Sequence, residues 1–555
     1  MKLEASTPIL WIDRAVGGLT FQIDGPAPLL ADLDSRSEIR QNTLSVQTET
    51  ADIERKKPTY QITRFILLRL LGLVYAVAFL IAAQQLMPLI GSHGLLPLDL
   101  FLQRVREVVG SDWEGFLRIP SIFWLNHSDT ALLTVSWIGF GLACVAIAGF
   151  GNSILFFLLW ALYLSIIHVG QDWYSYGWET QLCETGFLAI FLAPPIDPSP
   201  FPKSPTPVPV IWLFRWLLFR IMIGSALIKL RGDPCWRDLT ALYYYFETQP
   251  CPGPFSRWFH FLPKPILQFG VLFNFVAELI APWFIFWPRI ARHIAGIIIA
   301  LFFGSLILSG NLSFLDWLTL VPVIACFDDS FWIRLLPGRA RAFLPRPNRP
   351  TKVRIAGSWV LVCVIGFLSI PVVQNLVSSR QIMNTSFEDR LQLVNTYGAF
   401  GSIGREQYVV VFQGSDSEFP VLDSDWKEYQ YRGIPVDLRQ MPPFVAPYQL
   451  HFDWQMWFAS MAGLNEYPWT IHLVWKLLHG DPLATQLFAR NPFPDHPPRF
   501  VRAMLYRYRF APPGNSEGRW WERQELQEWF PTVAKDDQRL IQAMELERWM
   551  QYETK

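Results

Sequence analysis

Seven ionisable side chains lie within or beside strongly apolar stretches: Arg69, Glu179, Glu184, Arg215, Arg220, Lys229 and Glu278. Charges at membrane depth are expensive to hold and mark either a functional site or an ion pair between helices. Glu179 and Glu184 frame WETQLCE five residues apart, on loosely related faces of one helix, so they do not make a paired acid/base site. Pairing of these acids with Arg215, Arg220 or Lys229 would instead lock helices together. The richest segment is 220–254, RIMIGSALIKLRGDPCWRDLTALYYYFETQPCPGP, whose candidate functional residues are Arg220, Lys229, Arg231, Asp233, Trp236, Arg237, Asp238, Glu247 and Gln249. Gly232, Asp233 and Pro234 force a turn after the apolar run. The aromatics Tyr243 to Phe246 among alternating charges suit a helix lying on a membrane surface, or else an aromatic belt with snorkelling cations.

Other chemistry has little local support. Cys235 and Cys251 share that loop sixteen residues apart, and a disulfide between them is one possibility. Cys144, Cys183, Cys326 and Cys363 fall in apolar runs and are expected to be small buried hydrophobes. The nine histidines form no HExxH or metal-ligand cluster. His451 and Asp453 make an HxD that is expected to form a surface hydrogen bond. His472 and His479 are two helical turns apart, too far to share a metal alone. The chain contains no CxxC, GxSxG, Walker loop or GxGxxG, and neither a cofactor nor a metal is expected.

These residues must be positioned by a membrane-embedded scaffold. Of 555 residues, 51% are apolar and 17% charged, well below the roughly 25% usual in soluble domains. Basic and acidic residues cancel at 47 each, so the electrostatic footprint of a nucleic-acid binder is missing. Nine apolar stretches approach the roughly 20 residues a bilayer requires: 65–83, 131–149, 153–169, 181–194, 209–228, 266–287, 293–309, 312–327 and 355–373. The fourth and eighth are short, which gives about eight or nine spans. Arg55, Lys56, Lys57 and Arg64 precede the first span, and the densest basic run (Arg334, Arg339, Arg341, Arg346, Arg349, Lys352 and Arg354) precedes the last. By the positive-inside rule both lie in the cytoplasm, and the residues after the last span lie outside.

Three regions result. Residues 1–60 lack apolar periodicity and read as a disordered tail, 61–374 form a multi-span helical membrane domain, and 375–555 form an external α+β domain. In the last, 406–413 reads as a strand, with 420–422 and 428–431 as pairing candidates. Residues 452–461, 469–479 and 482–490 read as helices, and 522–550 as a charged amphipathic stretch. Trp454, Trp457, Trp520 and Trp521 are candidate partner-binding aromatics, with the Trp520–Trp521 pair expected to be exposed amid polar neighbours. Of the sequons at Asn126, Asn311 and Asn384, Asn311 is expected to be inaccessible between spans.

Long motifs across both halves resemble the lipase maturation factor family, polytopic membrane proteins that in animals reside in the endoplasmic reticulum. They include IGSHGLLP (90–97), GWETQLCETGFLAIFLAP (177–194), LIKLRGDPCWRDLT (227–240), YFETQP (245–250), SGNLSFLDWLTLVP (309–322), LVNTYGAFGSI (393–403), APYQLHFDWQMWFAS (446–460), PPRFVRAMLYRYRF (497–510) and GRWWERQ (518–524). The resemblance implies a chaperone that helps dimeric secreted lipases mature, with a lipase-like client and the lipid bilayer as partners, no nucleic acid and no catalytic residues. The external domain would face the lumen, or the periplasm in a bacterium. Cys251 is not part of the family pattern, which counts against the disulfide. A second, narrower likeness, to the vitamin K-dependent gamma-glutamyl carboxylase superfamily, implies an alternative in which Lys229, followed by Asp233 and Trp236, acts as a catalytic base.

Overall fold

The computed structural model describes residues 58–336, 348, 350–387, 390–420 and 422–553, with the pairs 12–13 and 20–21. The chain divides into two units, Met1–Pro58 and Thr59–Lys555. In the first, Ile12–Asp13 pairs antiparallel with Thr20–Phe21. The disorder expected of the tail, and Arg339, Arg341, Arg346 and Arg349 of the basic run, fall outside the described residues.

All nine apolar stretches fold as helices: α1 (Gln61–Ile90), α2 (Asp129–Ile147), α3 (Ser153–Val169), α4 (Gly177–Leu192), α5 (Val208–Arg231), α6 (Lys264–Phe284), α7 (Arg289–Ser309), α8 (Leu315–Cys326) and α9 (Lys352–Val377). Among the described residues six of them, α1, α2, α5, α6, α7 and α9, are long and apolar enough to cross a membrane, fewer than the eight or nine expected. The shorter three are α3, α4 and α8. Length and composition therefore support six, while the hydrogen bonds at the helix ends show how all nine are arranged.

Those ends gather into two polar rims. At one rim Asp329, just past α8, accepts from the backbone of Gln61 and Ile62 at 2.8 Å each. Arg69 of α1 donates to the Gly149 carbonyl after α2 and stacks 3.7 Å over Phe65. Arg354 of α9 reaches the Ala193 carbonyl after α4 at 3.3 Å, and Arg289 of α7 pairs with Asp328 at 2.8 Å. At the other rim Gln171, after α3, reaches the Leu96 carbonyl after α1 at 3.0 Å. There Arg231 of α5 reaches the Leu376 carbonyl of α9 at 2.8 Å, and Gln249 reaches the Ser309 carbonyl of α7 at 3.2 Å. Successive helices thus run in alternating directions.

One helix is irregular. α6 contains a wider π turn over Val276–Ile280. Pro282 accounts for it, because proline has no N–H to offer the Glu278 carbonyl four residues back and its ring crowds that carbonyl.

The C-terminal region is α+β. Its four-stranded antiparallel sheet runs in the order β2-β1-β3-β4, with β1 Gln407–Ser415, β2 Lys427–Glu428, β3 Phe500–Phe510 and β4 Trp521–Ala534. β1 pairs with β3 from Gln407↔Tyr508 to Ser415↔Phe500, and β3 with β4 from Phe500↔Ala534 to Phe510↔Trp521. Helices α10 (His451–Ala459) and α11 (Trp469–His479) pack beneath it, and α12 (Gln538–Leu546) follows β4. Strand β1 and helices α10 and α11 match the expectation. The stretch 482–490 forms only the single turn Pro482–Thr485. The amphipathic stretch 522–550 is strand as far as Ala534 and helix over Gln538–Leu546. WERQELQEW is rich in helix formers, but ladder pairing with β3 overrides that preference.

This region seats on the second rim, and one apolar core runs from Leu67 and Phe79 of α1 through Trp454 and Trp469 to Val410 and Tyr508 of the sheet. Asn311, between α7 and α8, donates to the carbonyls of Pro252 (3.1 Å) and Pro443 (2.8 Å) and accepts from the backbone of Val445 and Ala446. Gln449 accepts from Trp178 of α4 at 2.9 Å and from Ser313 at 3.1 Å. Its carbonyl receives Gln85 of α1 at 2.6 Å. Asn311 is buried, as expected from its place between spans.

Candidate functional site

The candidate functional loop is split by the fold into two places. Lys229 and Trp236 face a cavity inside the helical half. Glu247 and Gln249 belong to the seam with the C-terminal region. Arg237 and Asp238 are exposed and contribute to neither.

The cavity holds about 290 Å³ and lies between α4, α5, α6, α7 and α8. Lys229, in the last turn of α5, donates to Asn274 Oδ1 at 2.9 Å and to Glu278 Oε1 and Oε2 at 2.7 and 2.8 Å. Asn274 in turn donates to Glu278 Oε2 at 2.9 Å. Lys229 and Glu278 are each almost wholly buried. Glu278 lies within the π turn, one turn beyond Asn274 and on the same Lys229-facing side of α6. The ammonium also sits 4.8 Å above the Trp236 ring, a cation–π contact whose desolvated setting favours it. Trp236 is fixed by its indole N–H to the Phe400 carbonyl at 2.8 Å. Asp316, on the first turn of α8, also lines the cavity. Across it Gln181 of α4 donates to Thr319 of α8 at 3.0 Å.

A second buried network lies next to the first. Glu184 of α4 pairs with Arg220 of α5, and both are 1% exposed. The other Glu184 oxygen accepts from the Asn395 backbone N–H (3.0 Å), the Asn395 amide (3.1 Å) and the Tyr397 hydroxyl (2.7 Å). Arg220 donates to the Asn395 carbonyl at 2.8 Å. Residues 395–401 are thereby drawn down against α5, and Gly224 permits the approach, since a Cβ there would lie 2.2 Å from the Tyr397 carbonyl. The reading that Glu184 pairs with a helix arginine holds for Arg220. Arg215 takes other partners, the Ala325 carbonyl and the Tyr60 hydroxyl, both at 2.9 Å.

At the rim Asp233 caps the turn through the Cys235 N–H at 3.0 Å and pairs with Arg405 at 2.7 Å. Burial opposes its charge, but the Arg405 guanidinium and the Cys235 and Ile403 N–H groups hold the carboxyl well below the usual carboxylate range. Glu247 accepts from the Phe510 N–H at 2.6 Å, and Gln407 of β1 donates to the Gln249 carbonyl at 3.1 Å. Arg257 donates to the carbonyls of Ala511 and Pro512 at 2.9 and 2.8 Å. The loop is thus a fastening between the two halves as much as a site.

Three expectations are corrected. Of the four cysteines expected to be buried in apolar runs, Cys183 and Cys326 are buried but Cys144 and Cys363 are exposed, and Cys235 and Cys251, for which a disulfide was one possibility, are buried free thiols. His451 and Asp453 are wholly buried instead of on the surface. Asp453 accepts from the Gly433 N–H at 2.6 Å, and burial pushes its carboxyl up to about 6. His451 lies 3.9 Å from Glu179 of α4, and burial pulls it down to about 3. Trp521 is fully buried because β3–β4 pairing stacks it on Phe510 at 4.3 Å. Trp454 is also buried, against Trp178 and Tyr176. Trp457 and Trp520 remain partly accessible, the latter 4.7 Å beneath Arg257. Asn274, Asp316, Asn395, Tyr397 and Gln449 were not singled out from the sequence. The only local signals were a polar residue inside an apolar run, for Asn274 and Asp316, and the LVNTY motif, for Asn395 and Tyr397. Among the described residues no group of three or more His, Cys, Asp or Glu could hold a metal.

An apolar helical bundle with charges paired in its interior and a folded α+β region seated on one rim defines an integral membrane protein. The lipase maturation factor transmembrane domain matches residues 62–334, and the lipase maturation factor C-terminal domain matches residues 393–531. The chain is 44% identical to lipase maturation factor 1 of Bos taurus over 87% of its own length and 90% of that protein. It is 43% identical to lipase maturation factor 1 of Homo sapiens over 87% and 89%. Lipase maturation factor 2 of Rattus norvegicus is 28% identical over 84% and 82%. The chain belongs to the lipase maturation factor family. No solved structure matches it.

Proposed function

We propose that this protein is a membrane-bound, chaperone-like maturation factor that assists the folding and dimer assembly of a secreted lipase or related client. The observation that carries the reading is the 44% identity to a lipase maturation factor across both halves of the chain. All nine helices are read as spans, which their alternating directions support, although six alone meet the length criterion. An odd number of crossings from a cytoplasmic N-terminus puts the C-terminal domain outside, in the endoplasmic reticulum lumen or, in a bacterium, the periplasm. That is where a secreted client would meet it. Trp457 and Trp520, the two candidate client-binding tryptophans with accessible rings, are the proposed contacts, with Trp454 and Trp521 supporting them from the core.

Lys229 acting as a base is the weaker reading, since its nitrogen already donates to three acceptors. The test is co-expression of the full chain with a secreted dimeric lipase in cells lacking a maturation factor. Secreted activity and the dimer fraction should both rise, and Trp457→Ala with Trp520→Ala should reduce lipase co-purification while leaving membrane insertion intact. Lipase secretion that ignores the protein would overturn the reading.

A further inference from the structure

The cavity behind Lys229 contains one polar atom that the fold leaves without a donor. Asp316 is 2% exposed, and its Oδ1 is buried with no hydrogen-bond partner among the described residues. The other carboxylate there is fully occupied, since both Glu278 oxygens take Lys229 and one also takes Asn274. The one buried cation is therefore already paired, and Asp316 Oδ1 is an oxygen left over. A buried carboxyl oxygen without a partner is costly.

The walls are apolar and aromatic, including Tyr245 and Phe302. Two lining residues on α6, Ile266 and Phe269, are 51% and 67% exposed. They continue the apolar outer face of that helix, where Leu272, Ile280 and Trp283 are also exposed. The cavity is therefore reached sideways, from the lipid, near the rim that carries the C-terminal region.

We propose that this cavity binds an amphipathic lipid-phase molecule whose head donates hydrogen bonds and carries no negative charge, the head meeting Asp316 and the chain leaving past Ile266 and Phe269. Hydroxyl and amine heads qualify, whereas a carboxylate or phosphate head would bring an unpaired anion into a desolvated pocket whose one cation is already taken by Glu278. The site is separate from the client-facing tryptophans, and its occupancy does not depend on the client.

The test uses the full-length protein in lipid nanodiscs with three photoactivatable probes of identical chain, diazirine-bearing hexadecanol, hexadecylamine and hexadecanoic acid at alkaline pH. Labelled peptides are mapped by mass spectrometry. The alcohol and amine should label α6–α8 at least about tenfold more than the acid, given the cost of burying an unpaired anion. Asp316→Asn should abolish that discrimination. Ile266→Trp, on a lipid-facing position that tolerates bulk, should reduce labelling by all three probes and keeps the proposal testable should Asp316→Asn fail to fold. Equal labelling by the acid in the unaltered protein, discrimination that survives Asp316→Asn, or labelling of α6–α8 unchanged by Ile266→Trp would each overturn the proposal.

Discussion

The Glu184–Arg220 pair gives the sharpest test of how the two halves are held together. Glu184→Gln preserves shape but removes the charge and presents an amide N–H₂ where one oxygen accepted. The carboxylate now accepts from Arg220, the Asn395 N–H, the Asn395 amide and the Tyr397 hydroxyl. Losing it leaves a guanidinium at 1% exposure with no counter-charge and sets one of those donors against another donor. Removing one partner of a buried pair costs about 3–5 kcal/mol, a large part of the roughly 5–15 kcal/mol that holds a typical domain together. Arg220→Met alone should cost a comparable amount, because it strands the carboxylate. The double variant, Glu184→Gln with Arg220→Met, strands no charge, keeps an amide oxygen to accept from Asn395 and Tyr397, and leaves only neutral groups unmet, at about 1–3 kcal/mol. A double-mutant cycle should therefore show favourable coupling of at least about 2 kcal/mol. The assay is equilibrium unfolding in mixed micelles, followed by tryptophan fluorescence, with limited proteolysis near residues 387–395 as a second readout. Since Asn395 and Tyr397 are pinned by this pair, the single variants should be cleaved there first. Single variants costing under about 1 kcal/mol, or a cycle with no coupling, would refute the claim that this network fastens the domain to the bundle.

Three other outcomes are expected. Asp453 and His451 titrate in opposite senses: a carboxyl raised to about 6 stabilises the fold as it takes its proton below that pH, whereas a histidine lowered to about 3 destabilises it below its ordinary 6.5. Asp453→Asn should expose the histidine effect, a loss of up to about 2 kcal/mol between pH 7 and 5, and a pH-independent melting curve over that range would contradict it. In a glycosylating host Asn126 and Asn384, both exposed and both at the rim that carries the C-terminal region, should accept glycans while buried Asn311 does not; a gel shift that depends on Asn311 would be incompatible with this seam. All six cysteines should alkylate after denaturation without reductant, with intact mass as the measure, and a persistent two-thiol deficit would restore the Cys235–Cys251 bridge.

The helices were legible because a bilayer demands length and hydrophobicity, and every apolar stretch folded as one. The site was legible only as a set of residue types. Lys229 and Glu278 could be recognised as buried charges in need of partners, but their pairing joins two helices across 49 residues, which no hydrophobic period reveals. The same limit explains the strands. Phe500–Phe510 has arginines at 502, 507 and 509 among apolar neighbours, a broken alternation that becomes meaningful once β1 and β4 lie on either side. Trp521 shows how composition misleads: polar neighbours at Arg519, Glu522 and Arg523 predicted an exposed ring, yet in a strand adjacent side chains face opposite ways, so polar residues on both sides of a tryptophan are as consistent with burial as with exposure. In this chain burial prevails because Phe510, ten residues of turn and loop earlier, is the partner ring on the same face. What local reading missed in each case was a pairing between distant segments, and the buried polar groups are where those pairings are enforced, since each would be costly to leave unmet.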